Sequence, residues 1–188
     1  MVKVQQGDTV VVFNPIGAAP GLTPPRFGAD LALVSRNDPA YNGVANVSRG
    51  ERVPFVIDGP GEYEVGGIFV RGAATDETNT AYALSWDEIR LVHLGALSGA
   101  ELSTEVEEQL GAVDILFVPI DSLGPKPAAK LAAALDPRLI IPVDCARPAD
   151  LEIFLKETGA PGVKPVESLT LKRKDLADKE AAVIIIKS

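Results

Sequence analysis

Apolar positions in the first half of the chain come in short bursts, unbroken or alternating with polar residues. A period of two predicts strands. Lys3–Gln5 and Thr9–Phe13 flank Gln6-Gly7-Asp8, a hairpin signal. Asp30–Val34, Arg52–Ile57, Gly67–Arg71, Ala81–Ser85 and Ile89–Leu94 follow, the last two joined around Trp86-Asp87-Glu88. Glu62 and Glu64 alternate with Tyr63 and Val65 and mark the outer face of a strand. Asn14–Gly28 holds four prolines and three glycines, which predicts a long loop of fixed shape. Asp58-Gly59-Pro60-Gly61 makes a corner that neither neighbouring strand can continue.

The rhythm changes after residue 100. Thr104–Gly111 reads as a short helix with Ser103 or Thr104 as its cap, early acids and a closing glycine. Val113–Ile120 is a buried-type strand, and Pro125–Leu135 an Ala/Leu/Lys helix with proline at its start. Arg138–Val143 is a strand, Pro148–Glu157 a helix, and Val163–Leu171 and Ala181–Lys187 close the chain as strands. Strand–helix alternation here predicts parallel pairing under helices, whereas the first half predicts antiparallel pairing. Two packed sheets with outer helices satisfy both, in one domain over residues 1–188.

Composition narrows the classes. The chain has 188 residues, 46% of them hydrophobic and 23% charged. No apolar run approaches the roughly 18–20 residues of a membrane span, and Met1-Val2-Lys3-Val4-Gln5 lacks a signal peptide's apolar core. The expectation is a cytoplasmic protein. A net charge of −8 argues against binding to phosphate backbones. The single cysteine, Cys145, excludes an internal disulfide and a thiolate cluster. The single histidine, His93, excludes any mechanism needing two imidazoles of one chain.

Three segments together carry a resemblance: Ala29–Asn42, Ile57–Gly67 with its Asp-Gly-Pro-Gly-Glu-Tyr-Glu-Val run, and Ile89–Leu97, followed at a distance by Ile140-Ile141-Pro142-Val143-Asp144. The chain resembles the metallo-β-lactamase-fold hydrolases, in particular their small bacterial branch of predicted Zn-dependent hydrolases. The resemblance implies an α+β, four-layer αβ/βα sandwich with its site at the sheet edges. It also implies one further strand, ending in a Gly-His pair, ahead of Lys3–Gln5; this sequence begins after it. The family's His-x-His-x-Asp-His motif falls on Arg36, Asp38, Ala40 and Tyr41. Its bridging Asp falls on Ala96, and its final His on Asp144. A further His expected after Arg71 has only Asp76 or Glu77 near it.

The resemblance therefore implies a frame whose zinc ligands are gone. Alanine supplies no donor, and tyrosine is a poor ligand below its pKa of about 10. Arg36 is a fixed cation. A unit charge ~4 Å away is worth about 4 kcal/mol at an effective dielectric of ~20, and repulsion of a dication about twice that. Arg36 is expected to replace the metal, pairing with Asp38 and Asp144. Two other chemistries are open: an all-oxygen divalent-cation site from Asp38, Asp76, Asp121 and Asp144, and a thiol centre of Cys145, His93 and Asp144. Against the thiol centre, His93 lies three residues before Ala96, on the opposite face by strand alternation. Gly59, Gly61, Gly66 and Gly67 lack a following helix start and read as a structural corner. The function expected is non-catalytic, a binding, scaffolding or assembly protein without a cofactor, partnered by protein and not by nucleic acid or membrane. The open edge at Lys3–Gln5, or the C-terminal strand, predicts a homodimer. The alternative is a divergent Zn, Mg or Mn hydrolase acting on an ester or phosphodiester.

Overall fold

A computed structural model describes residues 1–18, 21 and 23–187. Ala19, Pro20 and Leu22, inside the predicted loop Asn14–Gly28, and Ser188 lie outside the described residues. β1 (Val2–Gln6) and β2 (Thr9–Phe13) form the predicted hairpin, Val2 opposite Phe13 and Gln6 opposite Thr9. β2 is followed by β3 (Leu31–Leu33), which pairs parallel to it, and β4 (Phe55–Ile57), which pairs parallel to β3. This corrects the antiparallel expectation. The connections before β3 and β4 are too long for hairpins and instead cross back to the start of the sheet. The small sheet runs β1-β2-β3-β4.

The large sheet begins as an antiparallel meander of β5 (Gly61–Val65), β6 (Ile68–Ala74), β7 (Thr80–Trp86) and β8 (Ile89–His93). Gly66 and Gly67 turn β5 into β6 with φ of 58° and 79°, the left-handed pair that a two-residue hairpin needs. β9 (Ile115–Pro119), β10 (Leu139–Val143) and β11 (Ala182–Val183) then add in parallel, giving the order β11-β10-β9-β8-β7-β6-β5.

Helices form where the sequence places them. In α1 (Thr104–Leu110) the Ser103 hydroxyl accepts the Val106 N–H, and Gly111, at φ 63°, closes the end. α2 (Ile120–Leu123) is a single turn the sequence did not predict. α3 (Pro125–Ala134) and α4 (Pro148–Glu157) both start on proline. Val106, Leu110, Ala128, Leu131 and Phe154 bury one stripe of these helices on the outer face of the large sheet, against Ala73, Ala81, Ala83, Val92 and Leu116. A second core lies between the sheets, where Val11, Phe13, Leu31, Leu33 and Ile57 meet Val70, Tyr82, Leu84, Leu91, Ile115 and Phe117. Burial of each such side chain stabilises the sandwich by about 1.5–3 kcal/mol.

The αβ/βα sandwich is thus present, with its fourth layer thin. Over the small sheet, Val10, Val12, Ala29 and Ala32 are covered by Val47 of a 3₁₀ turn (Val44–Val47), with Met1 and Phe27 beside it. The predicted strand Val163–Leu171 makes only an isolated bridge, Val166 to Ile186. Of Ala181–Lys187, Ala182–Val183 alone pairs as a strand, with β10.

Candidate functional site

The C-terminal ends of β2, β3, β8, β9 and β10 converge on one edge of the sandwich, and the loops leaving them build the site. Buried Tyr82 joins the layers there: its hydroxyl lies 2.8 Å from the Val34 carbonyl and 3.2 Å from that of Ile57. Two short polar side chains and one backbone bond do the same between loops. Asn14 Oδ1 accepts the Ser35 N–H at 2.9 Å. Asn79 Oδ1 accepts the Ala96 N–H at 2.7 Å, and its Nδ2 donates to Leu94 O at 3.0 Å and Thr75 Oγ1 at 2.8 Å. Thr80 N–H donates to Ser35 O at 2.9 Å. Asn14, Ser35, Asn79 and Gly95 are site residues that sequence reasoning missed. Isolated asparagines after strands carry no signal beyond "turn" until burial is known.

Arg36 is not paired as expected. Its Nη2 donates to Thr78 Oγ1 at 3.0 Å, its Nε is buried without a partner, and no ion pair to Asp38 or Asp144 forms among the described residues. The Arg36–Asp38/Asp144 cluster is therefore corrected. Asp38 is spent locally: it is exposed, and its Oδ1 accepts the Ala40 N–H at 2.8 Å, closing the turn on itself. Arg36 instead reaches Asp76 through Thr78, whose amide and hydroxyl both donate to Asp76 Oδ1, at 2.7 and 2.9 Å. Burial raises the Asp76 pKa, but these donors outweigh it, with the Asn79 amide and the Arg36 charge adding, and the carboxyl is held below its ordinary value.

Tyr41 and Asp144 are brought together. The Tyr41 hydroxyl donates to Asp144 Oδ2 at 3.4 Å. Burial, then the Asp144 charge, pushes the Tyr41 phenol up to about 12, so it is a neutral donor. Burial also raises the Asp144 carboxyl, against the pull of the positive Met1 amino group and the Tyr41 hydrogen bond. Asp144 sits at φ 51°, left-handed for a non-glycine residue. Its carbonyl accepts the Asp121 N–H at 2.9 Å, and Asp121 Oδ2 accepts the Ala146 N–H at 2.9 Å. Asp121 thus fastens β9 to the loop after β10, with the Arg147 guanidinium 3.9 Å from its other oxygen.

His93 and Cys145 lie on opposite faces of the large sheet. His93 is 2% exposed between the sheets, stacked on Phe13 at 5.2 Å and Phe117 at 5.7 Å. Gly95 N–H donates to its Nδ1 at 2.9 Å, so the neutral ring carries its proton on Nε2. Burial depresses its pKa to about 3. Cys145 packs on the helical side, and burial, then Asp121 and Asp144, pushes its thiol up to about 12. A thiol that stays protonated, with the imidazole across the sheet, is not a nucleophilic pair.

The zinc implied by the resemblance can be tested against these donors. Such a site needs at least three converging His, Cys or carboxylate ligands at about 2.0–2.3 Å. Ala40 and Ala96 offer methyl groups, Asp38 and Asp76 are held by their own turns, and Arg36 brings a fixed positive charge. Among the described residues no group of three or more His, Cys, Asp or Glu side chains could hold a metal ion. The donor set does not fit.

Two sheets face to face, helices backing the larger, and a site built from loops at one edge define a metallo-β-lactamase-type sandwich. The chain belongs to the beta-lactamase superfamily: the model of the beta-lactamase superfamily domain matches residues 2–144. Among solved structures it is similar to a Thermotoga maritima protein assigned to the Zn-dependent hydrolases of the metallo-beta-lactamase superfamily. That match has 23% identity and a TM-score of 0.78, covering 98% of this chain and 94% of that one. It is also similar to Igni18, a metallo hydrolase from Ignicoccus hospitalis, with 12% identity and a TM-score of 0.62, covering 86% of this chain and 89% of that one. The diiron β-hydroxylase CmlA from Streptomyces venezuelae matches with 13% identity and a TM-score of 0.55, over 86% of this chain and 45% of that one. None of the curated proteins compared matches the chain. At these identities the structural matches speak to the fold. Among the described residues no helix is long and apolar enough to cross a membrane.

Proposed function

We propose that this protein is a non-catalytic member of the superfamily, a scaffold that binds or assembles with other protein and has given up the metal centre of its hydrolytic relatives. The observation that carries this is the state of Arg36, Ala40, Tyr41, Ala96 and Asp144. Side chains that repel, ignore or weakly bind a dication occupy the positions the resemblance assigns to zinc. Two further features support it. Asp38, Asp76 and Asp121 each accept backbone N–H groups of nearby turns, which ties them to shape and away from a shared ion. The loops a metal would tie together are already fastened by Asn14, Asn79 and Tyr82.

The experiment is elemental analysis of protein purified without chelator, after growth and dialysis in excess zinc, manganese and magnesium, together with turnover of generic phosphodiester and thioester substrates. The expected result is under about 0.1 metal ion per chain and no turnover above the rate without protein. A stoichiometric metal ion, or turnover abolished by chelation, overturns the proposal in favour of a divergent metal-dependent hydrolase.

A further inference from the structure

Two stretches of this fold are built like strands and carry backbone groups that no neighbouring strand uses. One is β1. On β2, Val10 turns its amide and carbonyl toward Asp30, and Asn14 turns its amide to Leu33. Val11 and Phe13 therefore face β1, where they meet Val4 and Val2. By the alternation of a ladder, the N–H and C=O groups of Lys3 and Gln5 point the other way, along the free edge of the small sheet. The second stretch is Leu169–Leu171. Leu169 and Leu171 are half-buried on the inter-sheet core and Thr170 between them is exposed, the alternation of a strand. Its amides make no backbone hydrogen bond among the described residues.

These two stretches line one groove of about 400 Å³. Its floor is apolar, with Ile89, Leu91, Ile115 and Phe117 from β8 and β9 and Trp86 beside them. Its polar lining includes Lys3 and Lys172, which make no ion pair among the described residues, in a chain whose net charge is −8; Arg173 beside them is ion-paired with Asp114, and the one acid of the lining, Asp87, accepts from the Gln6 side chain.

We propose that this groove receives a single extended peptide segment of another protein. The segment adds as a strand between β1 and Leu169–Leu171, alternating apolar side chains toward the floor with acidic side chains toward Lys3 and Lys172. Unused backbone groups on both walls supply the hydrogen bonds, and the local excess of cations selects the acidic partner. A second copy docking through its own β1 does not suit the groove. Its β2 is paired along the whole of β1, so two strands would have to enter where one is proposed. The inference goes beyond the loss of catalysis and does not depend on it.

The test uses a capped six-residue peptide of alternating valine and glutamate and its valine–lysine counterpart. Trp86, the only tryptophan of the chain, reports binding by fluorescence, and amide hydrogen exchange locates it. The glutamate peptide is expected to bind saturably, at least tenfold tighter than the lysine peptide, and to slow exchange at Lys3, Gln5 and Leu169–Leu171. Gln5→Pro removes an outward N–H that β2 does not use, and is expected to weaken binding at least tenfold. Lys3→Glu, checked for an unchanged melting curve, is expected to erase the preference for glutamate without depending on proline's effect on the fold. No Trp86 response up to millimolar peptide, equal affinity for the two peptides, or protection elsewhere overturns the proposal. So does a concentration-dependent dimer that protects β1 without peptide, which makes a second copy the occupant.

Discussion

Gly95 has no room for a side chain. A Cβ there lies 2.4 Å from Asn79 Oδ1 and 2.6 Å from Ser35 Cβ, and the residue holds φ 69°. Gly95→Ala must move a buried amide or break the Ala96–Asn79 bond, and the backbone conformation is strained for any Cβ. The expected loss is about 3 kcal/mol or more in urea unfolding, or failure to fold. His93, two residues earlier, acts on stability through pH. Its ring is neutral in the folded protein, with a pKa near 3, while the unfolded chain takes up a proton below about 6.5. A depressed folded pKa means that the stability is complete above 6.5 and is lost as pH falls toward 3. Between pH 6.5 and 5 the loss is roughly 2 kcal/mol. Denaturant melts at both pH values are expected to show it, and His93→Phe, which keeps an aromatic ring between Phe13 and Phe117, is expected to remove that part of the slope. A variant with an unchanged pH dependence contradicts the assignment.

At the scale of elements, the loops of the site are held by amide side chains. Asn79 alone reaches the loop after β6 and the end of β8, with three hydrogen bonds at 2% exposure. Asn79→Ala leaves the Ala96 N–H and Leu94 carbonyl without that partner, at an expected cost of about 2–4 kcal/mol. Thermal melting, with a crystal structure of the variant to locate the loosened loop, checks it. The same scale shows what could be read beforehand. Short apolar runs such as Thr9–Phe13 and Ile89–Leu94 were legible because a strand packed on both faces must be apolar along its length, and capped helices such as Thr104–Leu110 because one face must be buried. Parallel pairing of β2, β3 and β4 was not, because it depends on where long loops return. Leu169–Leu171 has the alternation of a strand and finds no ladder, since pairing needs a neighbour as well as a pattern. At the site, the substituted positions could be placed from the resemblance, but the company each side chain keeps could not. Arg36 was expected beside carboxylates and lies on Thr78, because a turn's own amides claim Asp38 first.

For the whole molecule, the two sheets are unequally protected. The large one carries α1, α3 and α4 on its outer face; the small one has a single 3₁₀ turn and loop residues. β1 and β4 are its open edges, and Phe55 on β4 is 53% exposed. Native-state hydrogen exchange at rising urea is expected to release the β1–β4 amides before those of β7–β9; simultaneous release contradicts the assignment. Such a partial opening leaves the larger half standing while baring Val11, Leu31 and Leu33, aliphatic surface made for close packing. A cell that keeps this protein at high concentration must therefore contend with a sticky, half-undone form whose lifetime is set by how quickly four short strands find their places again.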